Sequence, residues 1–335
     1  MTRTLARGIY TPLPTFFQDG SEDLDLESFK KHVQYTASAG TFPVVSGTMG
    51  EAPHLSASER TSLIVAARSA LDDIGLDAVP IVAGIGATST RESIQLSKDA
   101  ASAGADFAIA IPPGYYAGPL MADNMAALRN YFLDIAEASP IPVMMYNFPG
   151  VSGGTDMDSD FIIDIAKSAP NICGVKLTCG AVGKLTRITA VVNEPSFEKQ
   201  YPRKIASAPF LVIDGFIDFL LPSMASGSSG AITGLANFAP RTCVKLWELC
   251  QAAPGTGSYV EAQKVQNLIA NADGVAIKIG IPGMKMLLNR LFGYGNKPRR
   301  PLMPMSVEKG DVVMNHKLMK ELMAFEADLE GGLPK

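Results

Sequence analysis

Eight short apolar runs, each followed by a longer stretch with helical spacing, constrain the fold of this chain more than any other feature. The runs are nearly continuous in apolar residues, as parallel strands buried on both faces require. Eight successive β–α units predict an α/β fold, the (β/α)8 TIM barrel, and the alternative is an open doubly wound sheet. The runs span residues 8–17, 42–47, 79–85, 106–112, 141–147, 172–178, 209–214 and 230–235.

Helical periodicity continues beyond the eighth run and is interrupted by the proline-rich segment "GYGNKPRRPLMPM". We therefore predict two parts: a barrel over residues 1–252, which carries the active site, and a C-terminal helical extension over residues 253–335. Oligomerisation or bracing of the barrel would explain the extension, which shows no obvious chemistry of its own. In such barrels the catalytic groups lie at the C-terminal ends of the strands, so the polar residues there are the first candidates.

Charge and composition argue against several classes of protein. The net charge of −4 comes from interspersed acidic and basic residues, so nothing indicates a nucleic-acid partner. No apolar run is long enough for a membrane span, and "MTRTLARGIY" lacks the apolar core of a signal peptide. The four cysteines form no C-x-x-C pair and the three histidines lie far apart. We therefore expect no metal, no cofactor, no membrane contact and a reducing, cytoplasmic location.

Lys176 is the most unusual charged residue, because it lies inside the sixth apolar run. Strict alternation would turn Lys176 into the barrel, with Gly174 clearing space beside it. The inward set would be Ile172, Gly174, Lys176 and Thr178, and the outward set Cys173, Val175 and Leu177. Burial disfavours an ammonium group, and a neutral amine in a barrel can form a Schiff base with a carbonyl substrate. The alternative is a strand-end lysine whose ammonium group reaches solvent.

Two further strand ends carry candidate groups. The second run ends in the turn "SGTMGE", in which the successive backbone N–H groups of residues 47–51 could bind a carboxylate, aided by the Thr48 hydroxyl. The simpler alternative is a glycine turn that only joins the strand to a helix, which Ser56 and Glu59 would start as a capping box. Tyr146 ends the fifth run, where its phenol would serve either as a proton donor and acceptor or as ordinary packing.

These features occur together and in one order: G-T-x-G-E after the second strand, Y-N-x-P after the fifth, and G-V-K on the sixth. In this combination the chain resembles the dihydrodipicolinate synthase / N-acetylneuraminate lyase family of pyruvate-dependent aldolases, over nearly its whole length. The resemblance implies that Lys176 is the Schiff-base lysine and that Tyr146 moves the proton. It also implies a homo-oligomer, either a dimer or a tetramer. The implied substrate-binding positions are Thr48, Met49, Gly50, Tyr116, Thr178 and Ile232, with Tyr115 as the alternative to Tyr116.

Two departures from the family pattern bear on the substrate. Met49 replaces a hydroxyl residue of the turn, which weakens a relay from Thr48 to Tyr116 and leaves the backbone N–H groups in place. Val151 stands where dihydrodipicolinate synthases carry an arginine for the carboxylate of the aldehyde. Such charge-assisted pairs contribute about 1.5–3 kcal/mol, so a carboxylated aldehyde loses its best partner here.

The expected activity is therefore cleavage of a small-molecule keto acid, a 2-keto-3-deoxy sugar acid, by a carbon–carbon lyase. The branch that contains 2-keto-3-deoxy-L-galactonate aldolase implies pyruvate and L-glyceraldehyde as products. The alternatives are a 4-hydroxy-2-oxoglutarate aldolase, a dihydrodipicolinate synthase that tolerates Val151, and a barrel that binds keto acids without turnover. We expect polar contacts to the aldehyde half of the substrate from Ser152, Thr178 and Thr233.

Overall fold

The computed structural model describes residues 3–331, and its centre is a closed barrel of eight parallel strands, β1 to β8. Each strand pairs with the next along the chain, and β8 pairs with β1, so the predicted TIM barrel is confirmed and the open sheet is excluded. The strands are, in order, Gly8–Pro12, Phe42–Val45, Val82–Gly84, Phe107–Ala110, Val143–Asn147, Ile172–Leu177, Leu211–Asp214 and Gly230–Ile232.

Helices separate the strands and continue after the last one. Among the described residues, none of them is long and apolar enough to cross a membrane. The helices α1 to α13 are, in order, Leu26–Ser38, Ala57–Asp72, Thr90–Ser102, Ala117–Ala138, Ser159–Ser168, Val182–Val192, Phe197–Gln200, Leu220–Ala225, Pro240–Leu249, Gly257–Ala276, Gly280–Phe292, Val307–Met314 and Lys317–Gly331. Short 3-10 helices lie at Ala52–His54, Pro149–Val151, Gly234–Asn237 and Ile277–Ile279.

The N-terminus of α2 interacts both with its own neighbouring residues and with a distant segment of the chain. The predicted capping box is confirmed: Ser56 Oγ accepts the Glu59 N–H at 3.2 Å, and the Ser56 N–H donates to Glu59 Oε2 at 2.8 Å. The Arg299 guanidinium, from the proline-rich segment, pairs with the same carboxylate and lowers the pKa of Glu59 to about 2. The segment between α11 and α12 is therefore attached to the barrel through this helix.

Two apolar layers hold the barrel together. The larger layer lies between the strands and the surrounding helices and contains Val45, Val175 and Leu177. The smaller layer fills the inside of the barrel, as small parallel barrels require. Its buried members include Tyr10, Val44, Val82, Phe107, Met144, Cys173, Leu211 and Ile232.

An irregularity in β6 corrects the predicted alternation of its side chains. Opposite β5 the register runs from Val143 with Ile172 directly to Met144 with Gly174, so Cys173 is an extra residue in a bulge. Cys173 therefore lies inside the barrel and Ile172 packs against the helices, the reverse of the prediction. The prediction was wrong at these two positions because the bulge shifts the alternation by one residue. Beyond the bulge, Lys176 faces inward as expected.

Gly174 lies where β6 and β7 approach each other closely. Its φ of +151° belongs to a region that side chains rarely adopt, and a Cβ atom here would lie 2.3 Å from the carbonyl oxygen of Leu211 on β7. The glycine therefore lets the backbones of β6 and β7 approach each other at the bulge.

We expect the substitution Gly174→Ala to separate β6 from β7, because the added methyl group would overlap the Leu211 carbonyl oxygen. The free energy of unfolding should fall by about 1–3 kcal/mol, as in other overpacked sites, and be measurable by denaturant unfolding. Gly183→Ala on α6 is the matched control, since its added methyl group would meet only the end of Arg187, at 3.7 Å. Equal stabilities of the two variants would contradict the role assigned to Gly174.

Candidate active site

A cavity of about 480 Å³ opens at the C-terminal ends of the barrel strands. Residues that follow or end β2, β5, β6 and β8 line it, as the position of active sites in this fold predicts. Most of the wall is apolar, including Val44, Ile109, Phe148 and Phe216. The cavity is therefore a place where a small ligand would leave water and meet a few defined polar groups.

Lys176 and Tyr146 come together in this cavity because β5 and β6 pair in register at these two residues. The Lys176 side chain is 7% exposed, and its Nζ lies 4.2 Å from the centre of the Tyr146 ring. The Tyr146 hydroxyl lies 3.4 Å from Thr48 Oγ1, at the long end of the hydrogen-bonding range. An amine, a phenol and a hydroxyl thus meet at one end of the cavity.

The turn after β2 presents backbone donors beside these side chains. Within residues 3–331, the N–H groups of Thr48, Met49 and Gly50 have no hydrogen-bond acceptor in the protein. Ser46 and Glu51, on either side, have φ angles of 55° and 56°, which non-glycine residues adopt rarely and mostly at functional sites. Three free N–H groups in succession are suited to a carboxylate.

Glu51 anchors this turn from behind. Its side chain is fully buried and accepts a hydrogen bond from Lys285 Nζ at 2.6 Å and from the Arg299 N–H at 2.9 Å. Lys285 is also fully buried and donates to the Lys297 carbonyl oxygen at 2.9 Å. Burial lowers the pKa of Lys285, and the adjacent Glu51 carboxylate opposes that shift. The C-terminal helices thus contribute a buried ion pair that positions the turn.

Most of the other predicted substrate-binding residues line the cavity, and some do not. Thr48, Met49, Thr178 and Ile232 line the cavity together with Lys176 and Tyr146. Gly50 does not line it, because this glycine packs against the main chain, where a Cβ would lie 2.9 Å from the Leu13 carbonyl oxygen. Val151, at the position of the missing arginine, is half exposed and also lines the cavity.

The three residues expected around the aldehyde half behave differently. The Thr178 Oγ1 is buried without a hydrogen-bond partner among the described residues. Thr233 lines the cavity, but its hydroxyl oxygen accepts the Leu235 N–H at 3.3 Å. Ser152 lies outside the cavity, and its hydroxyl donates to the Phe148 carbonyl oxygen at 2.9 Å. Thr178 is therefore the one with a free hydroxyl.

The two loop tyrosines do not reach the cavity of their own chain. Tyr115 and Tyr116 precede α4, are 83% and 64% exposed, and contact each other edge to face with ring centres 5.0 Å apart. The role of Tyr116, or of Tyr115, in substrate binding stays a prediction.

One wall of the cavity was not anticipated. Asp273, Ala276, Ile277, Gly280, Ile281 and Met284, from the end of α10 and the start of α11, close it on one side. The division of the chain at residue 252 stays a prediction, but the extension clearly supplies part of the cavity wall. Its helical pattern could not reveal this contribution, since apolar periodicity does not say which surface a helix covers.

Comparison with known proteins identifies the family. Residues 5–320 match the model of the dihydrodipicolinate synthetase family. The chain belongs to this family. An L-threo-3-deoxy-hexylosonate aldolase of Aspergillus niger is 39% identical, over 97% of both chains. A protein of Emericella nidulans, described as a probable mitochondrial 4-hydroxy-2-oxoglutarate aldolase, is 44% identical over 92% of both chains. Its name leaves the expected cytoplasmic location a prediction.

Solved structures have the same fold. A dihydrodipicolinate synthase family protein of Coccidioides immitis superposes with a TM-score of 0.81 and is 35% identical, covering 98% of this chain and 99% of its own. YagE of Escherichia coli K12, determined in complex with pyruvate, gives a TM-score of 0.77 at 25% identity, covering 97% of this chain and 99% of its own. The resemblance inferred from the sequence is confirmed, and so is the expected class, a carbon–carbon lyase of the aldolase type.

Proposed function

We propose that this protein is a class I aldolase that cleaves a 2-keto-3-deoxy sugar acid, specifically 2-keto-3-deoxy-L-galactonate, to pyruvate and L-glyceraldehyde. The observation that carries the proposal is the meeting of Lys176 and Tyr146 in one cavity, with Nζ 4.2 Å from the ring centre. A lysine amine forms an imine with a keto acid, and an adjacent phenol can move protons during each step.

The first half of the reaction builds the imine. The Lys176 amine attacks the C2 ketone, while the C1 carboxylate accepts hydrogen bonds from the free N–H groups of Thr48 and Met49, two turn residues that line the cavity. Tyr146 donates its proton to the departing hydroxyl group, which leaves as water. The product is a protonated imine, which withdraws electrons from C3, and a phenolate on Tyr146.

The second half breaks the carbon–carbon bond. The Tyr146 phenolate takes the proton of the C4 hydroxyl, the C3–C4 electron pair moves towards the imine, and the aldehyde leaves. The phenol then returns its proton to C3 of the remaining enamine. Hydrolysis of the imine releases pyruvate and restores the lysine amine, so no external oxidant or reductant is consumed.

Val151 stands where dihydrodipicolinate synthases carry the arginine that pairs with the carboxylate of the aldehyde. An apolar residue at this position supports a substrate without a second carboxylate. Val151 lines the cavity at this position. The Aspergillus niger relative is named for a 3-deoxy-hexylosonate, a sugar acid of the proposed kind. The name of the Emericella nidulans relative supports 4-hydroxy-2-oxoglutarate as the second candidate substrate.

The imine can be trapped directly. Incubation with pyruvate and borohydride should attach a reduced three-carbon group to Lys176, which peptide mass spectrometry would locate. Lys176→Arg should abolish the adduct, because a guanidinium group does not form this imine. Lys184→Arg is the matched control, since Lys184 is equally buried but pairs with Asp156 outside the cavity wall. An adduct on another lysine, or none, would remove the proposed mechanism.

The role of Tyr146 is tested separately. Tyr146→Phe keeps the ring and removes the hydroxyl, so kcat for cleavage should fall by about 10²–10⁴-fold, the usual share of general acid–base catalysis. Tyr131→Phe is the matched control, because the Tyr131 hydroxyl is buried 3.1 Å from Ser93 Oγ and lies outside the cavity wall. Steady-state kinetics with unchanged kcat for Tyr146→Phe would exclude this residue from the proton transfers.

We propose, in addition, that the protein is a homo-oligomer, either a dimer or a tetramer, as the family resemblance implies. The exposed pair Tyr115 and Tyr116 supports a contact between chains at this loop, because large aromatic side chains are enriched at interfaces. Sedimentation velocity should give a dimer or tetramer at micromolar concentration, and a lone monomer would contradict the proposal.

A further inference from the structure

The cavity wall contains few charged side chains. Of the described residues that line the cavity, Lys176 and Asp273 are the ones with a charged side chain. Lys176 is consumed by imine formation under the proposed function, and the turn after β2 takes the first carboxylate. Of the charged side chains in the described part of the wall, Asp273 is then the one left for the rest of the ligand, and it is acidic.

Asp273 faces the cavity from α10. It lies three and four residues before Ala276 and Ile277, on the face of α10 that these residues continue, and all three line the cavity. Its side chain is 8% exposed, yet no hydrogen bond or ion pair reaches its carboxyl group within residues 3–331. A buried carboxyl group without a partner is costly, and a ligand that donates hydrogen bonds would lower that cost.

Burial, followed by the neighbouring Asp218 carboxylate, raises the pKa of Asp273 to about 7. The titratable groups that interact with it are Asp218, after β7, and Cys243, on α9. The other elements packed against α10 carry Glu326 on α13, Lys285 on α11 and Lys278 in the 3-10 helix Ile277–Ile279, and Lys176 lines the same cavity. Lys285 and Glu326 already have partners of their own, Glu51 and the N-terminus of α9.

Two further polar groups of the wall are neutral. The Ser46 and Thr178 hydroxyl oxygens are both buried without a hydrogen-bond partner among the described residues. Neutral hydroxyl groups and a single acidic group form a lining that suits a ligand with several hydroxyl groups, since each of them can both donate and accept.

We propose that Asp273 selects the aldehyde half of the substrate, accepting hydrogen bonds from the hydroxyl groups of a sugar acid and repelling the second carboxylate of 4-hydroxy-2-oxoglutarate. The inference rests on the proposed function and makes it more specific. It assigns the distinction between the two candidate substrates to one side chain, which comes from the C-terminal helices and not from the barrel.

The test uses the aldolase in the direction of condensation, with pyruvate and one of two aldehydes. L-Glyceraldehyde is neutral and hydroxylated, whereas glyoxylate carries the carboxylate and yields 4-hydroxy-2-oxoglutarate. The measured quantity is the ratio of kcat/KM for L-glyceraldehyde to kcat/KM for glyoxylate. We expect Asp273→Asn to lower this ratio by about tenfold or more, mainly by raising kcat/KM for glyoxylate, because the like-charge repulsion is removed.

The pH profile separates a direct role from a structural one. In the wild-type enzyme the ratio should rise between about pH 6 and about pH 8, because Asp273 loses its proton in this range. In Asp273→Asn the ratio should not change with pH. Asp218→Asn is the matched control, because Asp218 is exposed and lies outside the cavity wall. The preference for L-glyceraldehyde should persist in this variant. The rise of the ratio should move to lower pH, since the Asp218 carboxylate helps to raise the pKa of Asp273.

Two more substitutions of Asp273 keep the inference testable if Asp273→Asn does not fold. Asp273→Glu keeps the charge and should retain the wild-type preference, whereas Asp273→Ser removes the charge and should behave like Asp273→Asn. Equal loss of activity with both aldehydes, at an unchanged ratio, would overturn the inference and leave the aldolase function intact. Absence of a trapped pyruvate adduct on Lys176 would instead overturn the proposed function, and the inference with it.

Discussion

The bulge in β6 is the constraint on which the geometry of the candidate site depends. A regular strand would have kept Ile172 and Lys176 on the same face, and one residue of shift would have turned Lys176 towards the helices. The extra residue, Cys173, shifts the alternation of side chains by one position. Ile172 and Leu177, at the two ends of the strand, therefore both face the helices, while Lys176 faces the cavity. Gly174 makes the bulge feasible, because the Leu211 carbonyl oxygen occupies the place of its missing side chain.

The buried pair of Glu51 and Lys285 is the second connection that the site requires. Removing two charges from water is expensive, and the close contact and additional hydrogen bonds of both side chains offset that penalty. The pair joins the turn after β2 to α11, two parts of the chain separated by more than two hundred residues. The helices after the barrel therefore belong to the cavity in two ways: they anchor its turn and they form one of its walls.

Much of this architecture could be predicted because it repeats or is local. Eight apolar runs at regular spacing led to the barrel, and the residues at strand ends led to Lys176, Tyr146 and Thr48, which the structure places around one cavity. The capping box of Ser56 and Glu59 was predicted for the same reason, since it depends on four adjacent residues. The face of Cys173 was predicted wrongly, because a bulge leaves no clear signal in a short strand.

The sequence by itself determined the fold class, the family and the chemical groups of the candidate site, because these depend on short-range spacing and on residue types that occur in order. Only the tertiary structure decided which partners those groups meet. Glu51 belongs to a motif that the sequence shows, but nothing there indicates Lys285 as its partner, and Asp273 looks like one acid on a long helix. Their environment is set by contacts between distant segments, and the free energies of burial and of charge pairing depend on that environment.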